Sequence, residues 1–169
     1  MTQAIHNRID DAIDLPDDEI VEAALAELDH AWTRRERLWV LTMPRDTSLL
    51  VEAVPGGVIV RAELATFEQV PANSVETITD FLHDPQSRCA DMPIAWNASS
   101  VAIELFVPRF DLEEEIPKAV SRVAAAWRLL SQSVQALLVP RLADEYRSFR
   151  CSSSSPRRSG EFVSVSPEL

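Results

Sequence analysis

The chain has 169 residues, of which 46% are hydrophobic and 25% charged, the make-up of an ordinary globular domain. A formal net charge of −11 opposes phosphate backbones, so nucleic-acid binding would need a segregated basic face. No apolar run approaches the roughly 18 residues that cross a bilayer, so no membrane partner is expected.

The opening, "MTQAIHNRIDDAIDLPDDE", has no apolar core after a basic start, and a secretory signal is not expected. Residues 1–15 read as a flexible acidic N-terminus. Pro16, followed by Asp17, Asp18 and Glu19, suits the first turn of a helix. Ile20, Ala24, Leu28, Ala31 and Trp32 continue at helical spacing, so one amphipathic helix is expected over residues 16–37. The basic cluster "RRER" at 34–37 then sits at the helix C-terminus, where cations suit the dipole.

"LWVLTMP" at 38–44 is a short run of strand formers. "SLLVEAVPGGVIVRAEL" at 48–64 places two valine- and leucine-rich runs around Pro-Gly-Gly. A phosphate loop would need a nest of backbone amides followed by a helix. Here alternating valines follow instead, so the glycines read as a hairpin turn. Glu52, Arg61 and Glu63 break the opposite faces, as in a sheet covered on one side.

Asn73 and Glu76 stand at capping-box spacing, and Val75, Ile78, Phe81 and Leu82 make the stripe of a second helix. After the loop "PQSRCADMP", "IAWNA" and "SVAIELFVP" predict a second hairpin turned at residues 97–100. In the latter strand Val101, Ile103, Leu105 and Val107 share one face.

"DLEEEIPKAVSRVAAAWRLLSQSVQALLVP" predicts a long helix capped by Asp111 with Glu114. Ile116, Val120, Val123, Trp127, Leu130, Val134 and Leu137 are spaced alternately by four and three, a heptad seam. A helix of this length, set against strands of about six residues, would overhang its sheet. The overhanging Trp127, Leu130, Val134 and Leu137 are therefore the candidate partner-binding or dimer seam, unless "RLADEYRSF" or the first helix folds back over them. Residues 150–169, rich in serine, read as a disordered tail.

Chemistry is sparse. His6, His30 and His83 lie at no metal-ligand spacing, and the two cysteines, Cys89 and Cys151, form no CxxC. Cys89 and His83 share one stretch, but that nearness alone does not make a Cys-His nucleophile. "NAS" at Asn97 matches a glycosylation sequon without other signs of secretion. No catalytic residue, metal or cofactor is expected, and the cytoplasm is the default compartment.

The order helix, three strands, helix, two strands, long helix in a small acidic chain resembles the type III secretion chaperone-like superfamily, including YbjN-like proteins and related actinobacterial peptide-binding chaperones. The resemblance covers residues 16–139 and rests on "LWVLTMP", "LLVEAVPGGVIVRAEL" and "SVAIELFVPRFDLEEEIPKAVSRVAAAW". It implies an α+β fold of about five antiparallel strands and three helices in one domain at 16–149. It further implies no catalysis, a protein or peptide client, and a homodimer. The competing expectation is an immunity or regulatory protein whose acidic surface neutralises a basic partner.

Overall fold

The computed structural model describes residues 15–44, 47–68, 70–84 and 93–153. The expected flexible segment up to residue 14, the stretch with Cys89, and the tail from 154 lie outside these residues.

Among the described residues six antiparallel strands form one sheet in the order β1-β2-β3-β4-β6-β5. They are β1 Trp32–Arg35, β2 Leu38–Met43, β3 Thr47–Val54, β4 Gly57–Thr66, β5 Ile94–Trp96 and β6 Ser100–Pro108. The helices are α1 Asp18–Ala26, α2 Ala72–His83, α3 Leu112–Leu137 and α4 Pro140–Ser153. The α+β class is as expected, with one more strand and one more helix.

The extra strand corrects the first helix. α1 ends at Ala26, and residues 32–35 are β1, paired Trp32 to Leu41 and Arg35 to Leu38. The apolar spacing at Leu28, Ala31 and Trp32 fits a helix but does not require one. In the strand, Trp32 falls on the same face as Leu41 and, one strand further, Leu49, and packs on the core from there. "RRER" is thus a hairpin, turned at Glu36, whose φ is +54°.

The turn after β3 is as expected, and tighter. Val54 pairs with Gly57, leaving Pro55 and Gly56 as the two turn residues. Gly56 has φ +82°, which a type II turn requires after its proline. Gly57 is extended backbone, and it is glycine for another reason. A Cβ there would strike the Val107 carbonyl oxygen and lie 2.8 Å from the Phe106 ring.

The 97–100 turn is built by Asn97. Its Oδ1 accepts from Ser99 N at 2.8 Å and Ser100 N at 2.7 Å, and its main-chain N donates to Ser100 O at 3.0 Å. This local bonding accounts for the asparagine without a sugar. Neither expected capping box forms. Pro71 is the N-cap of α2, Asn73 Oδ1 instead accepts from Ser74 N at 3.0 Å, and Asp111 caps α3 with no side-chain bond.

One face of the sheet carries the core: Trp39 and Leu41 of β2, Val51 of β3, Val58 and Val60 of β4, and Ile103 of β6 are all fully buried. α3 lies on this face against β4 and β6, α1 packs on α3, and α4 packs on α2 and α3. On the other face Val40, Leu50 and Ile59 are half-buried and Phe106 is 53% exposed. No described helix covers them. α4 runs on to Ser153, so residues 150–153, read from the sequence as part of the tail, are helical.

Candidate functional site

The predicted seam resolves into core. Leu130, Val134 and Leu137 are 1%, 0% and 5% exposed within the single chain. Two facts remove the overhang. β4 has 10 residues, not six, so it spans about 33 Å beneath α3. α4 then folds back over the helix end, with Ala143 fully buried. Trp127 is half-buried, and its indole N–H donates to Glu63 O at 2.8 Å. The four positions lie along α3, and three of them are buried within the single chain.

The remaining chemistry-bearing residues are dispersed. His30 lies in the segment before β1. His83, at the end of α2, stacks on Trp96 at 5.9 Å, and Trp96 stacks on Phe67 at 6.1 Å. Cys151 is exposed on α4. Cys89 and His6 lie outside the described residues. Among the described residues no three His, Cys, Asp or Glu side chains cluster around a metal position. The guanidinium of Arg34 sits 5.3 Å from the centre of the Trp39 ring, hydrogen-bonds Glu22 Oε1 at 2.8 Å, and pairs with Asp18. Glu22, chiefly, holds its pKa above the ordinary arginine value, with Asp18 assisting. The acids of α1 and the arginine of β1 thus clamp one sheet edge.

The opposite edge is different. Even-numbered residues of β6 turn their backbone groups toward β5. Ser100 O accepts from Asn97 N at 3.0 Å, and Glu104 N donates to Pro93 O at 2.9 Å. Pro93 has no N–H to return to Glu104 O. Past this point no described residue pairs with β6. By the same alternation the Glu104 carbonyl and both backbone groups of Phe106 turn to the β5 side.

Beside this edge, between β6 and α3, lies an apolar groove of about 290 Å³. Its floor is Ile103, Leu105, Val123 and Ala126, and its wall is Leu129, which is 52% exposed. Arg122 stands at the rim and is the only charged residue among the described residues that line it.

The sequence marks these residues poorly. Leu105 and Ile103 belong to the strand alternation. Leu129 is an apolar residue off the heptad seam, and that misplacement is the one signal that could have found the groove. Arg122 carries no signal of its own.

No family model matches this chain, and no curated protein and no solved structure matches it.

No helix among the described residues is long and apolar enough to cross a membrane.

Proposed function

We propose that this chain is a non-catalytic binding module that takes an extended polypeptide segment as an added strand on β6. One observation carries the reading: the Glu104 carbonyl and the backbone of Phe106, which no described residue pairs on the β5 side, run beside an apolar groove. Strand addition uses both features. Main-chain hydrogen bonds supply affinity, and alternate side chains entering the groove supply selectivity. Exposed edges are ordinarily shielded by charge, proline or brevity. β1 is such an edge, four residues long with two arginines. β6 is paired by β5 over Val101–Ile103, and beyond that among the described residues its "ELFVP" end is the longer uncovered stretch.

A chaperone-like role, holding or escorting a client in the cytoplasm, follows if the segment belongs to another protein. Two copies could make the same contact through their β6 edges, and that is the form the homodimer takes in this reading.

Selection of random displayed peptides on the purified chain tests it. The reading expects extended sequences with alternating apolar residues. Leu129→Asp, which places a carboxylate in the groove wall, should abolish their binding while the far-ultraviolet circular dichroism stays unchanged. Failure to select any peptide, or binding untouched by Leu129→Asp, removes the proposal. Selection of lysine- and arginine-rich sequences instead would favour a module that neutralises a basic partner through its acidic surface.

A further inference from the structure

We infer that the segment taken by the groove carries an aspartate or glutamate side chain, received by Arg122 on the same face as its apolar anchors. This rests on the strand-addition reading above and adds the chemistry of the occupant.

The chain is strongly acidic, with a net charge of −11, so a long-range preference for an acid is not expected from the whole molecule. The groove reverses that sign locally. Arg122 is exposed at its rim and makes no ion pair among the described residues. Its neighbours three and four positions away on α3 are Lys118, Ala119, Ala125 and Ala126, none of them acidic. Lys118 is itself held by Glu114 and Glu115, the latter at 2.9 Å. Glu114 and Glu115 are therefore engaged by Lys118, one turn before Arg122. The guanidinium is left with its fork of donors beside a wall of alanine, valine and leucine.

A guanidinium fork matches a carboxylate with two parallel hydrogen bonds, and partial desolvation by apolar neighbours strengthens them. The spacing in the occupant follows from two rises. Arg122 and Leu129 are seven residues apart on α3, about 10 Å along its axis at 1.5 Å per residue. Side chains on one face of an added strand recur about every 6.7 Å. The carboxylate therefore falls two or four positions from the residue that meets Leu129. A chain-terminal carboxylate offers the same chemistry, but a segment that runs along the edge past both Glu104 and Phe106 favours a side chain.

The test uses the full chain and two blocked decapeptides that alternate valine and serine. In one, a single terminal-side valine is replaced by glutamate; in its twin, by glutamine. Fluorescence anisotropy on the wild type is expected to show the glutamate peptide binding about tenfold tighter, the scale of one charge-assisted bond. Arg122→Gln should close that gap while both peptides still bind, and Arg122→Glu should reverse it in favour of a lysine peptide. Equal binding of both peptides to the wild type overturns the carboxylate inference and leaves the strand-addition reading standing. Binding of neither overturns both. A tight complex only with an unblocked C-terminus overturns the side-chain assignment. Sedimentation as a dimer that excludes both peptides gives the groove to a second copy and overturns it as well.

Discussion

The indole N–H of Trp127 reaches the main-chain carbonyl of Glu63 across a 2.8 Å hydrogen bond, joining α3 to the point where β4 loses register with β6. The pairing slips between Glu63 and Ala65, and Leu64 O is taken up by Gln135 Nε2, also at 2.8 Å. A bulge displaces backbone groups from the ladder, and an unmade bond there is expensive. Two side chains, two turns apart on one helix, satisfy both carbonyls. Trp127→Phe keeps the ring and removes the donor. It should lower stability by about 1 kcal/mol in urea unfolding. Gln135→Leu should do the same, and neither should alter the sedimentation coefficient, since both bonds lie within one chain.

Leu130 and Leu137 face the core, not solvent. Leu130→Ala should cost about 2–5 kcal/mol, the usual range for emptying a buried leucine site. Leu130→Glu with Leu137→Glu buries two unpaired carboxylates and should abolish the cooperative unfolding transition. A folded double variant that had merely lost an oligomer would return these positions to an interface.

The half of the fold set by alternation was legible. The series Val101, Ile103, Leu105 and Val107 shares the inward face as read, though Leu105 is only half-buried, and the two hairpin turns are as read. β1 was not legible because Trp32 satisfies two periods at once. Only the partner strand, with Leu41 opposite, decides between them. The seam at Trp127 to Leu137 was correctly seen as apolar. What covers it depends on how far β4 extends and where α4 turns back, and neither is a local property. The groove is harder still, since it lies where, among the described residues, β6 runs on beneath α3 past the Pro93 end of β5. That is a relation between two strands, written in neither of their patterns.

The two adjacent glycines should respond differently. Gly56→Ala meets open space but must hold φ +82°, which costs about 1–2 kcal/mol for a residue with a Cβ. Gly57→Ala has no dihedral penalty but must push the edge of β6 away from β4. It should lower the melting temperature more than Gly56→Ala, and should perturb the amide resonances of Phe106 and Val107. The reverse order would mean that the turn, not the close approach, selects glycine here.

The Glu114 carboxyl is held below its ordinary range, chiefly by the hydrogen bond from Lys118 at 2.5 Å, with Coulomb attraction adding to it. Lys118 in turn is held above its ordinary value by the bonds to Glu114 and Glu115. A depressed carboxyl contributes stability that is present above its unfolded pKa and lost as pH falls through the folded one. The pair should therefore stabilise at neutral pH and fade below the ordinary carboxylate range. The lysine's contribution is present below its unfolded value and lost only at strongly alkaline pH. Lys118→Met should return the Glu114 titration, followed by carboxyl carbon NMR, to the ordinary range. The difference in urea midpoint between variant and wild type should vanish in acid. An unchanged Glu114 titration would remove the pairing as the cause.

Arg34 ties the edge strand β1 to the rest of the domain. Its guanidinium lies over the Trp39 ring at 5.3 Å while it meets Glu22 and Asp18 of α1, and Trp39 Nε1 donates to the same Glu22 carboxylate at 3.4 Å. A planar fork can serve two carboxylates and a ring face together, whereas an ammonium is a single compact charge. Arg34→Lys should therefore fail to restore what Arg34→Ala removes. Amide exchange is the sensitive measure, because edge strands and terminal helices open before the core does. Both variants should exchange faster over residues 18–26 and 32–35, with β4 protected as in the wild type. Full protection in the lysine variant would show that charge alone holds the edge, and that the planar geometry contributes nothing.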